Sequence, residues 1–347
     1  MPLGYTGSYD RVAAFARQWR EQTRGLGQQA FTPLTFPPGD AFQFDWSEDW
    51  AVIDGTRTKL QVAHFRLSHS RAFFVKAYRQ QTHEMLFDAH HHGFRVFGGI
   101  PERGIYDNMK TAVDKVSRGK ERQINQRFQA MSSHFLIEPE FCSVAAGWEK
   151  GQVEKEVQEL RHRLWQDAPS FLSLAALNQW LEKRCAELWE QLPHPDNPHT
   201  TIKQCWQTEQ SHLMPTPPAF DGFVEHTKRV SSTCLITFER NRYSVPAQFA
   251  NQRVCLRVYA YRLIVVAEGD IIAEHDRVFL IHDNRAPAKT IYDWRHYLNV
   301  LQRKPGALRN GAPFHELPDG FKQLQKTLLK RVGGDREMAD ILALVLL

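Results

Sequence analysis

Three acids in this 347-residue chain stand where a sheet and a helix could bring them together. Asp45 ends the alternating run Ala41-Phe-Gln-Phe-Asp45-Trp46, and Asp107 ends Arg103-Gly-Ile-Tyr-Asp107. Both segments read as strands, each finishing in a carboxylate that a rigid sheet would hold in a fixed direction. Glu154 falls in a helix expected over 148–166, where Val153, Val157, Leu160 and Leu164 form the buried stripe. It lies one residue round from that stripe, so a helix laid across the sheet brings it to the two aspartates. Three carboxylates at one point repel unless a cation joins them, and hard oxygen donors suit Mg2+ or Mn2+. Two such ions about 4 Å apart clamp the attacking and leaving oxygens of an in-line phosphoryl transfer. Spacing alone leaves a plainer reading open, in which strand-end aspartates only form turns. Among the neighbouring acids, Glu156 points about 200° away from Glu154 and Glu149 sits at the helix start, where it favours the dipole.

The elements needed to position these acids can be read from the pattern. Residues 5–24 form an amphipathic helix, and the Pro33–Pro38 stretch is a linker. Strands over 41–46, 60–67 and 72–78 follow, with Asp54-Gly55 as a hairpin turn. A helix over 82–97 stops at Gly98-Gly99, strand 103–108 follows, and then come helix 121–135, strand 135–141 and helix 148–166. The order βββαβαβα gives an α/β fold, a mixed five-stranded sheet with helices on its faces. Residues 170–212 read as helical and broken by Pro193-His-Pro-Asp-Asn-Pro198, and Pro215-Thr-Pro-Pro218 is a second linker. Short strands from Cys234 to His275 suggest a small all-β barrel, and the tail from Lys289 reads as helical.

Composition narrows the classes. With 42% hydrophobic and 24% charged residues the chain reads as an ordinary globular protein of two or three domains. No apolar run approaches the roughly 20 residues of a membrane span, and no signal peptide is visible, so a cytoplasmic protein without a membrane partner is expected. Five cysteines, none closer than 20 positions, exclude a CxxC motif and make a disulfide framework improbable. The net charge of +5 hides an uneven distribution. Residues 226–263 carry seven Lys or Arg, among them Arg240 and Arg242, against Glu239 alone. Residues 285–310 carry six against Asp293, and both stretches are interleaved with aromatics, a pattern that fits nucleic-acid backbone binding where a plain charge run would be a solvated face. Arg240 and Arg242, two apart in a strand-like segment, are expected on one face. His90-His91-His92 is expected to be a solvated helix end rather than a metal site, because adjacent residues on a helix diverge.

Phe44-Asp45-Trp46, Tyr106-Asp107-Asn-Met-Lys110-Thr-Ala-Val113 and Glu149-Lys150-Gly-Gln-Val-Glu154 together resemble the signature segments of IstA-like DDE transposases, relatives of retroviral integrases and phage Mu transposase. Arg240-Asn-Arg-Tyr-Ser-Val-Pro246 resembles the opening of that family's β-barrel, and Tyr297–Leu308 its C-terminal region. The resemblance covers essentially the whole chain. It implies an RNase H-like core, two Mg2+ or Mn2+ ions held by Asp45, Asp107 and Glu154, and cleavage and joining of DNA strands. It also implies DNA contacts from Lys110, Lys150 and Lys155, an AAA+ ATPase helper and a homo-oligomer on DNA. The implied layout is a residual helix of a DNA-binding region with its linker (1–36), catalytic core (37–168), helical connector (169–218), barrel (219–285) and basic helical tail (286–347). The family's N-terminal helix-turn-helix region is expected to be largely missing, since Met1–Asp10 resembles the start of its last helix. The alternatives are a catalytically idle DNA-binding remnant and an RNase H-like nuclease without transposition.

Overall fold

β1 (Ala41–Ile53) and β2 (Thr56–Leu67) meet at Asp54-Gly55, where both residues are left-handed, with φ of 49° and 70°. Such a turn matches the twist of a hairpin, and the register runs unbroken from Phe42↔Leu67 to Ile53↔Thr56. The computed structural model that shows this describes residues 8–23, 34–106, 113–116, 122–141, 163–165, 170–280 and 287–344. The N-terminal helix α1 (Tyr9–Thr23) keeps its place, and Tyr9 and Phe15 are exposed on it.

β3 (Phe73–Tyr78) pairs antiparallel with β2, whereas β4 (Arg103–Tyr106) runs parallel to β1. β5 (Val113–Val116) and β6 (Arg122–Ile124) form a separate antiparallel ribbon. β7 (Glu138–Phe141) then adds parallel to β4, giving the order β3-β2-β1-β4-β7. Three antiparallel strands followed by two parallel ones make the RNase H-like sheet expected from the sequence. Helix α2 (His83–Phe97) packs His90 and Phe94 against Phe42 and Phe65 of the sheet and ends at left-handed Gly98. Helix α3 (Gln126–His134) starts at Asn125, whose side chain accepts from the N–H groups of Arg127 and Phe128. The expected helix over 121–135 is therefore shorter, and Arg122–Ile124 is strand instead.

Helix α4 (Leu174–Gln191) closes the outer edge of β3, where the Trp189 Nε1–H donates to the Phe73 carbonyl at 2.9 Å. The Asn178 amide accepts from the Ala77 N–H at 2.7 Å and donates to the Ala77 carbonyl at 2.9 Å, standing in for a neighbouring strand. Of the helix expected over 148–166, residues 163–165 are described and helical, with Leu164 buried; the rest lies outside the described residues. The proline-rich break in the connector is itself structured, with β8 (Pro193–His194) and β9 (Asn197–Thr201) as a small hairpin before α5 (Ile202–Glu209).

Beyond the second linker two sheets enclose one core. β10 (Val224–Arg229), β13 (Arg253–Val258), β14 (Arg262–Ala267) and β15 (Asp270–Asp276) form one sheet. β11 (Leu235–Phe238), β12 (Asn241–Ser244) and β16 (Thr290–Ile291) form the other. Ile236, Tyr243, Leu256, Leu263 and Val265 meet between them. β10 escaped the sequence pattern because it is a sheet-edge strand with almost no apolar alternation. The tail has its own core, in which α6 (Leu298–Arg303), α7 (Asp319–Leu328) and α8 (Gly334–Ala343) bring together Leu301, Leu308, Leu328, Met338 and Leu342.

Arg277 ties the barrel to the helix that covers the five-stranded sheet. The Arg277 side chain is 1% exposed and donates to Glu84 of α2 at 2.7 Å, to Glu239 at 2.7 Å and to the Tyr259 carbonyl at 3.0 Å. Among the described residues no helix is long and apolar enough to cross a membrane.

Candidate active site and nucleic-acid surface

Asp45 is the fifth residue of a thirteen-residue strand, so the expectation that the strand ends there is corrected. The left-handed Asp54-Gly55 turn carries the hairpin seven residues further than the alternating pattern indicated. What ends near Asp45 is the parallel neighbour: the last described pair of β1 and β4 is Phe44↔Tyr106. Asp45 is half-buried, and its Oδ1 accepts from the Trp46 N–H at 2.8 Å.

The unbroken hairpin register places His64 directly opposite Asp45. His64 is buried, with its Nε2 2.8 Å from Ser47 Oγ. That hydroxyl donates to Asp49 Oδ2 at 2.9 Å, so it accepts from the imidazole N–H. Asp45, Ser47 and Asp49 alternate along one side of β1, and His64 joins the row from β2. Sequence reasoning missed this row, although the signal was present: Asp45 and His64 stand equally far from the two turn residues. Counting back from Asp54-Gly55 on both arms pairs them.

Beside Asp45 the opposite side of β1 is aromatic, before it reaches the exposed Glu48. Phe44 stacks on the His90 ring at 5.0 Å, and Phe65 lies edge-on to the same ring at 4.9 Å. His90 is fully buried, which corrects the expectation of a solvated triplet; it shares the inner face of α2 with Leu86 and Phe94. Its Nδ1–H donates to the Leu86 carbonyl, and its Nε2 accepts from the Tyr106 hydroxyl at 2.9 Å. Burial pushes its pKa down to about 4, so the ring is a neutral acceptor that anchors the last described residue of β4. His92 approaches Asp88 at 3.5 Å. Among the described residues no three His, Cys, Asp or Glu side chains gather as a metal site. Asp107, Glu154, Lys110, Lys150 and Lys155 all lie outside the described residues.

Arg240 and Arg242 are both exposed, but they do not share a strand. Glu239 and Arg240 are the two left-handed turn residues between β11 and β12, with φ of 47° and 70°. Arg242 is the second residue of β12, and its N–H donates to the Lys289 carbonyl. The expectation of two arginines on one strand face is corrected, because the first of them makes the turn.

Residues 214–285 match the family "Mu transposase, C-terminal domain". A transposase of Aminobacter aminovorans is 65% identical over 99% of this chain and 68% of its own length. The transposase for insertion sequences IS1326/IS1353 of Pseudomonas aeruginosa is 62% identical with the same coverage. That for IS21 of Pseudomonas aeruginosa is 30% identical over 79% of this chain and 69% of its own length. Among solved structures, the HTLV-2 integrase catalytic core in complex with magnesium matches 50% of this chain and 99% of its own, at a TM-score of 0.35 and 14% identity. This chain belongs to the insertion-sequence transposases that include those of IS1326/IS1353 and IS21.

Proposed function

We propose that this transposase cleaves DNA strands at the ends of its insertion sequence and joins them to a target, with Asp45, Asp107 and Glu154 as the carboxylates that hold two divalent ions. The observation that carries the reading is the parallel pair Phe44↔Tyr106. Asp45 follows the first of these residues on β1, and Asp107 follows the second in sequence. A half-buried carboxylate on a strand paired along its full length suits a hard ion such as Mg2+ or Mn2+. When bound, the ions supply charge stabilisation at the attacking and leaving oxygens of a phosphodiester. The chain's own residues do the positioning. β1 sets the direction of Asp45, the Trp46 N–H holds one of its oxygens, and the row Asp49–Ser47–His64 braces the adjacent strand pair. In the cleavage step water attacks the phosphorus and the P–O3′ bond breaks, leaving a 3′-OH; in the joining step that 3′-OH attacks a target phosphodiester and displaces the target's own 3′-oxygen.

Lys110, Lys150 and Lys155 are proposed to meet phosphates beside the carboxylates, and Arg240 and Arg242 to track the backbone further out. A homo-oligomer on DNA and an AAA+ ATPase helper complete the assembly, following the resemblance of the three signature segments. The test is strand transfer with duplexes that carry the element's ends. Asp45→Asn should lose on the order of 1,000-fold of activity, as expected for several kcal/mol of charge stabilisation, while circular dichroism and DNA binding stay as in wild type. Full activity of Asp45→Asn in Mg2+ would remove Asp45 from the site. A wild-type chain that binds DNA but transfers no strand in either metal would be an idle remnant.

A further inference from the structure

Helix α7 turns its apolar residues inward: Leu328 is buried in the tail core, with Phe321 and Leu324 packed against it. Its other side shows Lys322, Gln323, Lys326 and Thr327, and the exposed Lys330 and Arg331 follow in the turn. Lys322 and Lys326 are one helical turn apart, about 6 Å along the axis. The chain then reverses tightly. Gly333 is left-handed at φ 77°, and a Cβ on Gly334 would stand 1.8 Å from the Leu328 carbonyl oxygen, which no side chain can do. The two glycines thus fold α8 back beside α7 and leave Lys330, Arg331 and Val332 at the exposed apex. Arg336, in the first turn of α8, is exposed as well.

Acids flank this basic stretch at both ends. Asp335 is held by Arg309 at 2.7 and 3.0 Å, and Arg309 also donates to the Leu329 carbonyl. Asp319, in the first turn of α7, lies 4.0 Å from Lys322 with its carboxylate almost fully solvated. Glu337 and Asp340 are exposed on α8, and Glu316 is exposed just before α7. The outward face of α7 carries Asp319 at its start, then Lys322, Gln323 and Lys326, and no aromatic, whereas a protein-docking surface needs apolar anchors at its centre.

We infer that the outward face of α7 and the α7–α8 turn form a docking surface for the phosphate backbone of duplex DNA, separate from the arginines of the barrel. The inference rests on the DNA-processing reading and adds a second region of DNA binding to it. Spaced lysines with an amide donor between them suit repeated phosphates and carry no base code, so the surface binds all sequences alike.

The test uses the full chain and a 30-base-pair duplex of arbitrary sequence, with affinity followed by fluorescence anisotropy as salt is raised. The double variant Lys326→Gln with Lys330→Gln should flatten the slope of log affinity against log salt by about 2, close to one unit for each phosphate left without its cation. A second duplex of unrelated sequence should show the same change. Lys183→Gln with Lys203→Gln, which removes equal charge from the surface of α4 and α5, should leave the slope as in wild type. The inference falls if the α7 variant keeps the wild-type slope, or if both double variants lose slope equally. A wild-type chain with no affinity for duplex at low salt would instead bring down the DNA-processing reading itself.

Discussion

Two hairpins of this molecule use the same kind of turn for opposite purposes. Asp54-Gly55 and Glu239-Arg240 are both two-residue turns with left-handed residues at each position. The first joins long strands and sets Asp45 deep in the paired region, opposite a buried histidine. The second joins strands of four residues and puts Arg240 at the tip, in solvent. The difference fits the two roles proposed for these residues. A metal-holding carboxylate must be fixed to a fraction of an ångström, so it belongs in the middle of a register locked from both sides. A cation that attracts phosphates acts through a field reaching about 8–10 Å at ordinary salt, so a tip side chain serves.

The largest change should come from separating the two regions. Arg277 links Glu239, in the turn of the second hairpin, to Glu84 on the helix that covers the first sheet. Arg277→Met leaves Glu84 buried without its partner, which should cost about 3–5 kcal/mol. Differential scanning calorimetry should show a lower melting temperature and a splitting of the barrel transition from that of the core. An unchanged single transition would mean that the two regions are coupled elsewhere.

A second test bears on the core alone. His90 has its pKa lowered to about 4, against an unfolded value near 6.5. Protonation therefore favours the unfolded chain: the stability is fully present above pH 6.5 and is lost as the pH falls towards 4. Between pH 7 and pH 5 the loss should be about 2 kcal/mol. Urea midpoints of His90→Gln should fall less than those of wild type over that interval. Equal falls would assign the pH dependence to other groups.

His64 sharpens the contrast between fixing and attracting. His64→Gln should lower strand transfer about 10–100-fold, as loss of an outer support for a metal ligand does, and leave duplex affinity unchanged. A matching loss of DNA affinity would make it a DNA-binding residue rather than a positioning one. The smallest effect belongs to the second hairpin. Arg240→Gln with Arg242→Gln should weaken duplex binding several-fold on all sequences and reduce the salt slope by about 2 at most, with melting unchanged. Wild-type binding would make the two arginines solubilising charge.

The sequence revealed types and order better than extents. Aromatic alternation through Phe42 and Phe44, the Asp54-Gly55 turn and the Gly98-Gly99 stop were enough to lay out the first sheet and α2. The full length of β1 was not visible, because Ser47-Glu-Asp-Trp50 mixes polar residues into the run and only pairing with β2 keeps them extended. His90 was misread for a related reason. A histidine triplet looks polar as a string, yet α2 turns one of its members into the aromatic core, where Tyr106 satisfies it. Arg240 and Arg242 looked like strand neighbours because nothing local to Glu239-Arg240 announces a left-handed turn; neither residue is Gly, Asn or Asp. The His64–Ser47–Asp49 row was open to inference from the turn alone.

The register of the first hairpin also governs which length changes this gene can survive. Side chains alternate every residue along β1, so a single-codon insertion between Asp45 and Asp54 would turn Asp45 towards the aromatic side and carry Phe44 or Trp46 towards the polar row. Removing two residues from each arm beside the turn, by contrast, leaves every remaining pair facing as before. Related transposases should therefore vary the reach of this hairpin in matched steps, while unpaired insertions gather in the loops outside it.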